Sequence, residues 1–97
     1  MNVIFSGENL FEKSQLAFVV NHTTDEILVN KSGHATVIRN REFYKPGDTL
    51  SGGWIFLYQE KLILHSGSLG KVKPIYHQKV IRALETALGF TFRYIKE

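Results

Sequence analysis

WIFLYQEKLILHSGSLGKVKPIYHQKVIRALETALG, residues Trp54 to Gly89, changes periodicity partway along, and that change decides the fold. Trp54 to Tyr58 and Leu62 to His65 are apolar runs separated by the short polar break Gln59-Glu60-Lys61, the pattern of a β-hairpin. Beyond the loop Ser66-Gly67-Ser68-Leu69-Gly70, the residues His77, Val80, Ile81, Leu84, Ala87 and Leu88 recur at helical spacing. Pro74 stands where a helix opens, since its missing N–H costs nothing there, and Gly89 suits the left-handed stop. Strands and a helix segregated in this way predict an α+β domain.

Working outward, Phe90 to Ile95 alternates Phe90, Phe92 and Tyr94 against Thr91, Arg93 and Ile95, which predicts a closing strand with one buried face. Upstream, Lys45-Pro46-Gly47-Asp48 is a turn, because Pro presets φ and Gly accepts positive φ. His34 to Arg39 alternates as a strand would, and Ile27 to Val29 and Asn2 to Phe5 are two more short strands. Residues 9–21 admit two readings. Leu10, Ser14, Ala17, Phe18 and Asn21 would line a helix, whereas the unbroken apolar run Leu16 to Val20 suits a buried strand. A helix beginning near Asn9 is the expectation taken. The whole, residues 1–97, reads as one α+β domain. It has a single mixed β-sheet of five or six strands, a long helix in the C-terminal half, and an N-terminal helix if that expectation holds.

Composition bounds the function classes. At 43% hydrophobic and 12% aromatic the chain can bury a core, which disordered segments cannot do. With no cysteine, disulfide scaffolds and thiolate metal sites are excluded, and a cytoplasmic location is the default expectation. Met1 to Gly7 has neither a basic start nor a long apolar stretch, and no segment approaches the length of a membrane span, so no membrane role is expected. A net charge of +3 favours an anionic partner: a phosphate, a nucleic acid or an acidic protein.

Histidine is the side chain best suited to proton transfer near neutral pH, and the chain has four: His22, His34, His65 and His77. His34 follows Ser32-Gly33, while His65 ends the hairpin and His77 opens the helix, making the last two candidate neighbours. No H-x-x-x-H spacing occurs and no metal or cofactor is expected. Gly67 to Lys71 ahead of a helix is a layout that can hold an anion on backbone amides, although it is not a P-loop, since Val72 stands where the magnesium-binding hydroxyl should be. No G-x-S-x-G elbow or dinucleotide fingerprint appears.

In order, these segments resemble the Janus/Ocnus family, whose best-known members are small protein phosphohistidine phosphatases. The resemblance is carried by His34-Ala35-Thr36-Val37-Ile38, then Gly52-Gly53-Trp54-Ile55 ahead of the hairpin, then Gly67-Ser68-Leu69-Gly70 with His77 ten positions beyond Gly67. The chain departs from the family pattern at Ser51 and Trp54, where a third glycine and a basic residue are usual. It also departs at Ser66, which replaces a tyrosine, and at Asn2, which replaces a lysine. The resemblance implies metal-independent hydrolysis of a phosphoramidate, with His34 as general base. It also implies a phosphate cradle of Gly52, Gly53, Gly67, Ser68, Leu69, Gly70 and Lys71 with His77, and a phosphorylated protein or small phosphate ligand as partner.

A different class of function is a small basic accessory protein without catalysis, of viral or mobile-element type, that docks on nucleic acid or an acidic protein. For it speak Phe43, Tyr44, Trp54 and Tyr58, interleaved with Arg39, Arg41 and Lys45, because aromatic rings beside cations can stack on bases.

Overall fold

A computed structural model describes residues 1–66 and 69–95 of the chain. Its centre is β2, Gln15–Asn21, flanked on one side by β3, Glu26–Asn30, and on the other by β4, Leu50–Phe56, both antiparallel to it. β1, Asn2–Phe5, joins the free edge of β3 in parallel. Beyond β4 come β5, Lys61–Ile63, antiparallel, and last β8, Arg93–Ile95, parallel to β5. The result is a mixed six-stranded sheet in the order β1-β3-β2-β4-β5-β8. A two-stranded ribbon of β6, His65–Ser66, and β7, Gly70–Lys71, leaves the end of β5 and lies against β4. The α+β expectation is met.

Each face of the sheet has its own cover. Leu16, Phe18 and Val20 of β2, Ile27 and Val29 of β3, and Ile55 of β4 point to one side. There α1, His77–Leu88, lays Val80, Ile81 and Leu84 on them. Pro74–Tyr76 forms a 3-10 turn leading into α1, and Gly89, at φ 81°, ends it with its N–H on the Glu85 carbonyl. On the other side Val19 and Leu28 pack with Val37 and Phe43 from the long β3–β4 connection.

That arrangement overturns two local expectations. Residues 9–21 do not form a helix: a short 3-10 turn at Leu10–Glu12 is followed directly by β2. The reason is position in the sheet. Leu16 to Val20 are all at most 2% exposed, so both faces of this strand are covered and no polar face is required, which is how an unbroken apolar run becomes a central strand. Nor is His34–Arg39 a strand; it is a 3-10 helix. The Asn30 carboxamide oxygen accepts from the N–H groups of Ser32 and Gly33, and Gly33 at φ 104° turns the chain sharply out of β3. Thr36 then donates its hydroxyl to the Gly33 carbonyl. Only His34 and Val37 of this segment are buried, three residues apart as a 3-10 turn eclipses them, while Ile38 is 54% exposed.

Smaller differences concern boundaries. Tyr58, expected in the hairpin strand, is 91% exposed in the turn after Phe56, and the last strand begins at Arg93 rather than Phe90. Phe90 and Phe92 instead pair edge to face before it, with the Phe92 N–H on the Glu85 carboxylate. Among the described residues no helix is long and apolar enough to cross a membrane.

The fully buried Asn21 ties the end of β2 to the β3–β4 connection. Its amide nitrogen donates to the Phe43 carbonyl at 2.9 Å and to Asp48 at 2.8 Å, and its oxygen accepts from the Thr23 and Thr24 N–H groups. Asn21→Leu keeps the volume but strands these partners. Thermal or urea unfolding should show a loss of about 3 kcal/mol, because each buried group left unpaired costs roughly 1–3 kcal/mol.

Candidate functional site

His34 is held from three directions. The Gly33 turn aims its ring back over β4, where Nε2 lies 2.8 Å from the Gly53 carbonyl oxygen. A carbonyl only accepts, so Nε2 carries the hydrogen and, in the neutral ring, the lone pair resides on Nδ1. Trp54 meets the imidazole edge-on with centroids 4.6 Å apart. Burial pushes the His34 pKa below its ordinary value of 6.5, against the opposing pull of backbone hydrogen bonds to Gly53 and Phe18. His34 is 5% exposed, and that burial favours the neutral ring.

This packing needs two glycines in succession. A Cβ at Gly52 would stand 2.6 Å from the Phe18 carbonyl and 3.3 Å from the His34 ring. One at Gly53, on the other face, would run into the Ile63 carbonyl and the Phe18 ring. Both residues sit within the β4 ladder, opposite Val19 and Phe18.

On its outer side Trp54 forms one wall of an open recess of about 500 Å³, shared with Glu12, Lys13, Ser14, Gln15 and Lys31. Two lysines against one carboxylate make the recess locally cationic; His34 is not one of its walls, but the Trp54 that lines it also packs on the His34 ring. Sequence reasoning missed Lys13 and Lys31 because it read residues 9–21 as helix. Once 15–21 is a strand paired antiparallel to β3, with Ala17 opposite Asn30, Lys13, two residues before β2, and Lys31, directly after β3, fall at the same end of the sheet.

The remaining expected site residues are dispersed. Leu69 is half-buried on the Val19, Leu28, Val37 and Phe43 cluster, the side of the sheet where His34 lies. Gly70 and Lys71 form β7 opposite Ser66 and His65, and Lys71 borders a different cavity. His77 is on the α1 side, its Nε2–H given to the Val72 carbonyl at 2.8 Å, where it pins the start of the helix. Gly67 and Ser68 lie outside the described residues. Asn2, where the family pattern suggests a lysine, is in the edge strand β1, beside α1 rather than the recess. Among the described residues no group of three or more His, Asp or Glu side chains is placed to hold a metal ion.

No family model matches the chain, and no curated protein or solved structure matches it.

Two measurements test the packing. Gly53→Ala should cost about 3 kcal/mol in urea unfolding, at the upper end of overpacking effects, since the obstacle is partly main chain. The pH dependence follows from the lowered pKa of His34. The unfolded ring takes up a proton near pH 6.5 while the folded one resists, so the contribution is complete above pH 6.5 and is lost as pH falls through the lower folded value. Urea titrations at pH 7.5 and 5 should show wild type losing stability on acidification, and His34→Gln losing less of it.

Proposed function

We propose that the protein handles phosphate through His34, as a metal-independent phosphohydrolase of the Janus/Ocnus kind acting on a phosphoramidate such as phosphohistidine. The observation that carries this reading is the Nε2–H bond from His34 to the Gly53 carbonyl within a buried environment. It gives a neutral imidazole of fixed tautomer, the state a general base must be in before it acts. Lys13 and Lys31 supply the charge that would neutralise a phosphoryl group beside Trp54.

In the proposed reaction a water oxygen forms a bond to phosphorus as the P–N bond breaks. The electron pair of that bond goes to the leaving nitrogen, and His34 Nδ1 takes the water proton, later returned through solvent to the departing imidazole. The protein's share is positioning and charge, since phosphoryl transfer asks little covalent work of it. The partner would be a phosphorylated protein or a small phosphate compound.

The non-catalytic reading, docking on nucleic acid or an acidic protein, keeps the exposed Arg39, Arg41 and Lys45 but loses Phe43 as a stacking ring, because it is 3% exposed in the core.

The test is release of inorganic phosphate from a phosphohistidine peptide. Wild type should turn over, and folded His34→Ala should lose on the order of 10²–10⁴-fold in kcat, the usual worth of a general base. A Lys13→Ala, Lys31→Ala double variant should chiefly raise KM. A folded wild type without turnover, or one that the His34 variant equals, overturns the proposal. Salt-sensitive binding to single-stranded nucleic acid would then favour the non-catalytic reading.

A further inference from the structure

Another cavity, of about 400 Å³, opens at the end of the sheet where β2 leaves and β4 begins. Ser51 enters it from the α1 side of β4, opposite Val20, whereas His34 lies on the other side. Its walls are His22, Thr23, Thr49, Leu50, Ser51, Lys71, Lys73 and Tyr76. Three features set it apart from ordinary surface relief.

The first is a hydrogen-bonded pair at its floor. His22 Nε2 stands 2.6 Å from Ser51 Oγ, and Ser51 is 3% exposed. The second is an incomplete polar network. His22 Nδ1 is buried and has no hydrogen-bond partner among the described residues, a state that costs free energy and that folds rarely keep without a use. The third is charge: Lys71 and Lys73 flank the opening with exposed side chains, and Thr23 and Thr49 hold the rim through a 3.0 Å bond from the Thr49 N–H to Thr23 Oγ1. Tyr76, the residue before α1, closes the back by packing its ring on that of His22 at 4.9 Å.

We propose that this cavity binds a small organic phosphate monoester, its anionic head held by Lys71, Lys73 and the Ser51 hydroxyl and its organic body filling the remaining space. The volume falls within the roughly 300–1,000 Å³ usual for small-molecule sites and leaves room for more than a bare phosphate. An anion accepting the Ser51 hydroxyl proton fixes the direction of the floor bond. His22 Nε2–H must then donate to Oγ, so His22, Ser51 and the anion form one relay.

Protonation is linked to this occupancy. Burial first, then Lys73 and Lys79, depress the His22 pKa, while Asp25 pulls it up and is itself shared with Lys79 at 2.7 Å and the N-terminal ammonium at 3.5 Å. Tyr76 and Lys71 complete the ionisable surroundings. An anion offsets the lysine charges, so the imidazolium, its Nε2–H on Ser51 Oγ, becomes accessible and binding tightens as pH falls.

The site is independent of the proposed His34 chemistry. Ribose 5-phosphate, with ribose as the uncharged control, is titrated into labelled protein and followed by amide NMR. The expected result is saturable shifts at Thr23, Thr49, Ser51 and Lys73 with ribose 5-phosphate and none with ribose. A Lys71→Ala, Lys73→Ala double variant, which changes only exposed side chains, should weaken binding at least tenfold. Sulfate, whose charge does not change between pH 6 and 8, should bind more tightly at pH 6, and His22→Asn should remove that difference. Shifts confined to Lys13, Lys31 and Trp54, or shifts at Ser51 unchanged by the lysine variant, overturn the cavity as a site and leave the His34 proposal standing. Loss of phosphohistidine turnover with the cavity shifts intact overturns only the His34 reading.

Discussion

Two adjacent positions without side chains, Gly52 and Gly53, are the constraint around which the protein is built. Successive residues of a strand point to opposite faces, so the pair opens a gap on both sides of β4 at once. The Phe18 ring and the Ile63 main chain occupy one gap, and the His34 ring occupies the other. The Ile63 carbonyl at the end of β5 lies against Gly53, and the Gly53 carbonyl takes the hydrogen bond that orients His34. Core packing, strand path and the proposed base therefore rest on the same two residues.

The sheet then separates two chemistries. One face carries a buried, neutral histidine beside an aromatic ring and a recess with two lysines. The other carries the long helix and, at its rim, a histidine and serine below two more lysines. Lysines thus stand in pairs at two separate places, Lys13 with Lys31 and Lys71 with Lys73.

How much of this the sequence disclosed depends on where physical information is local. α1 was legible because its apolar spacing, opening proline and closing glycine all agree. The hairpin of β4 and β5 was legible for a similar reason, a polar turn between two apolar runs. β2 was misread because a strand covered on both faces loses its alternation, and only its neighbours supply the cover. The segment after Gly33 shows the reverse case. His34 to Arg39 alternates well, yet the Asn30 side chain captures two backbone N–H groups and winds the chain into a 3-10 helix. In the candidate site, His34 and the glycine pair were identified as residues worth attention, and they do meet. Lys13 and Lys31 were not, since their meeting depends on the register of β2 against β3. His22 is one of the four histidines the sequence offers, but its pairing with Ser51 is not legible there, because the two are 29 residues apart and share no recognisable motif.

The central claim is that His34 is a neutral imidazole carrying its hydrogen on Nε2 and giving it to the Gly53 carbonyl. Long-range proton–nitrogen NMR correlations on protein labelled at histidine nitrogen read this directly, since protonated and unprotonated ring nitrogens resonate far apart. The account predicts that at pH 7 the His34 pattern is that of the Nε2–H tautomer and that it persists below pH 6.5. A His34 ring in the Nδ1–H tautomer, or one that titrates at or above 6.5 like a solvent-exposed histidine, would contradict it.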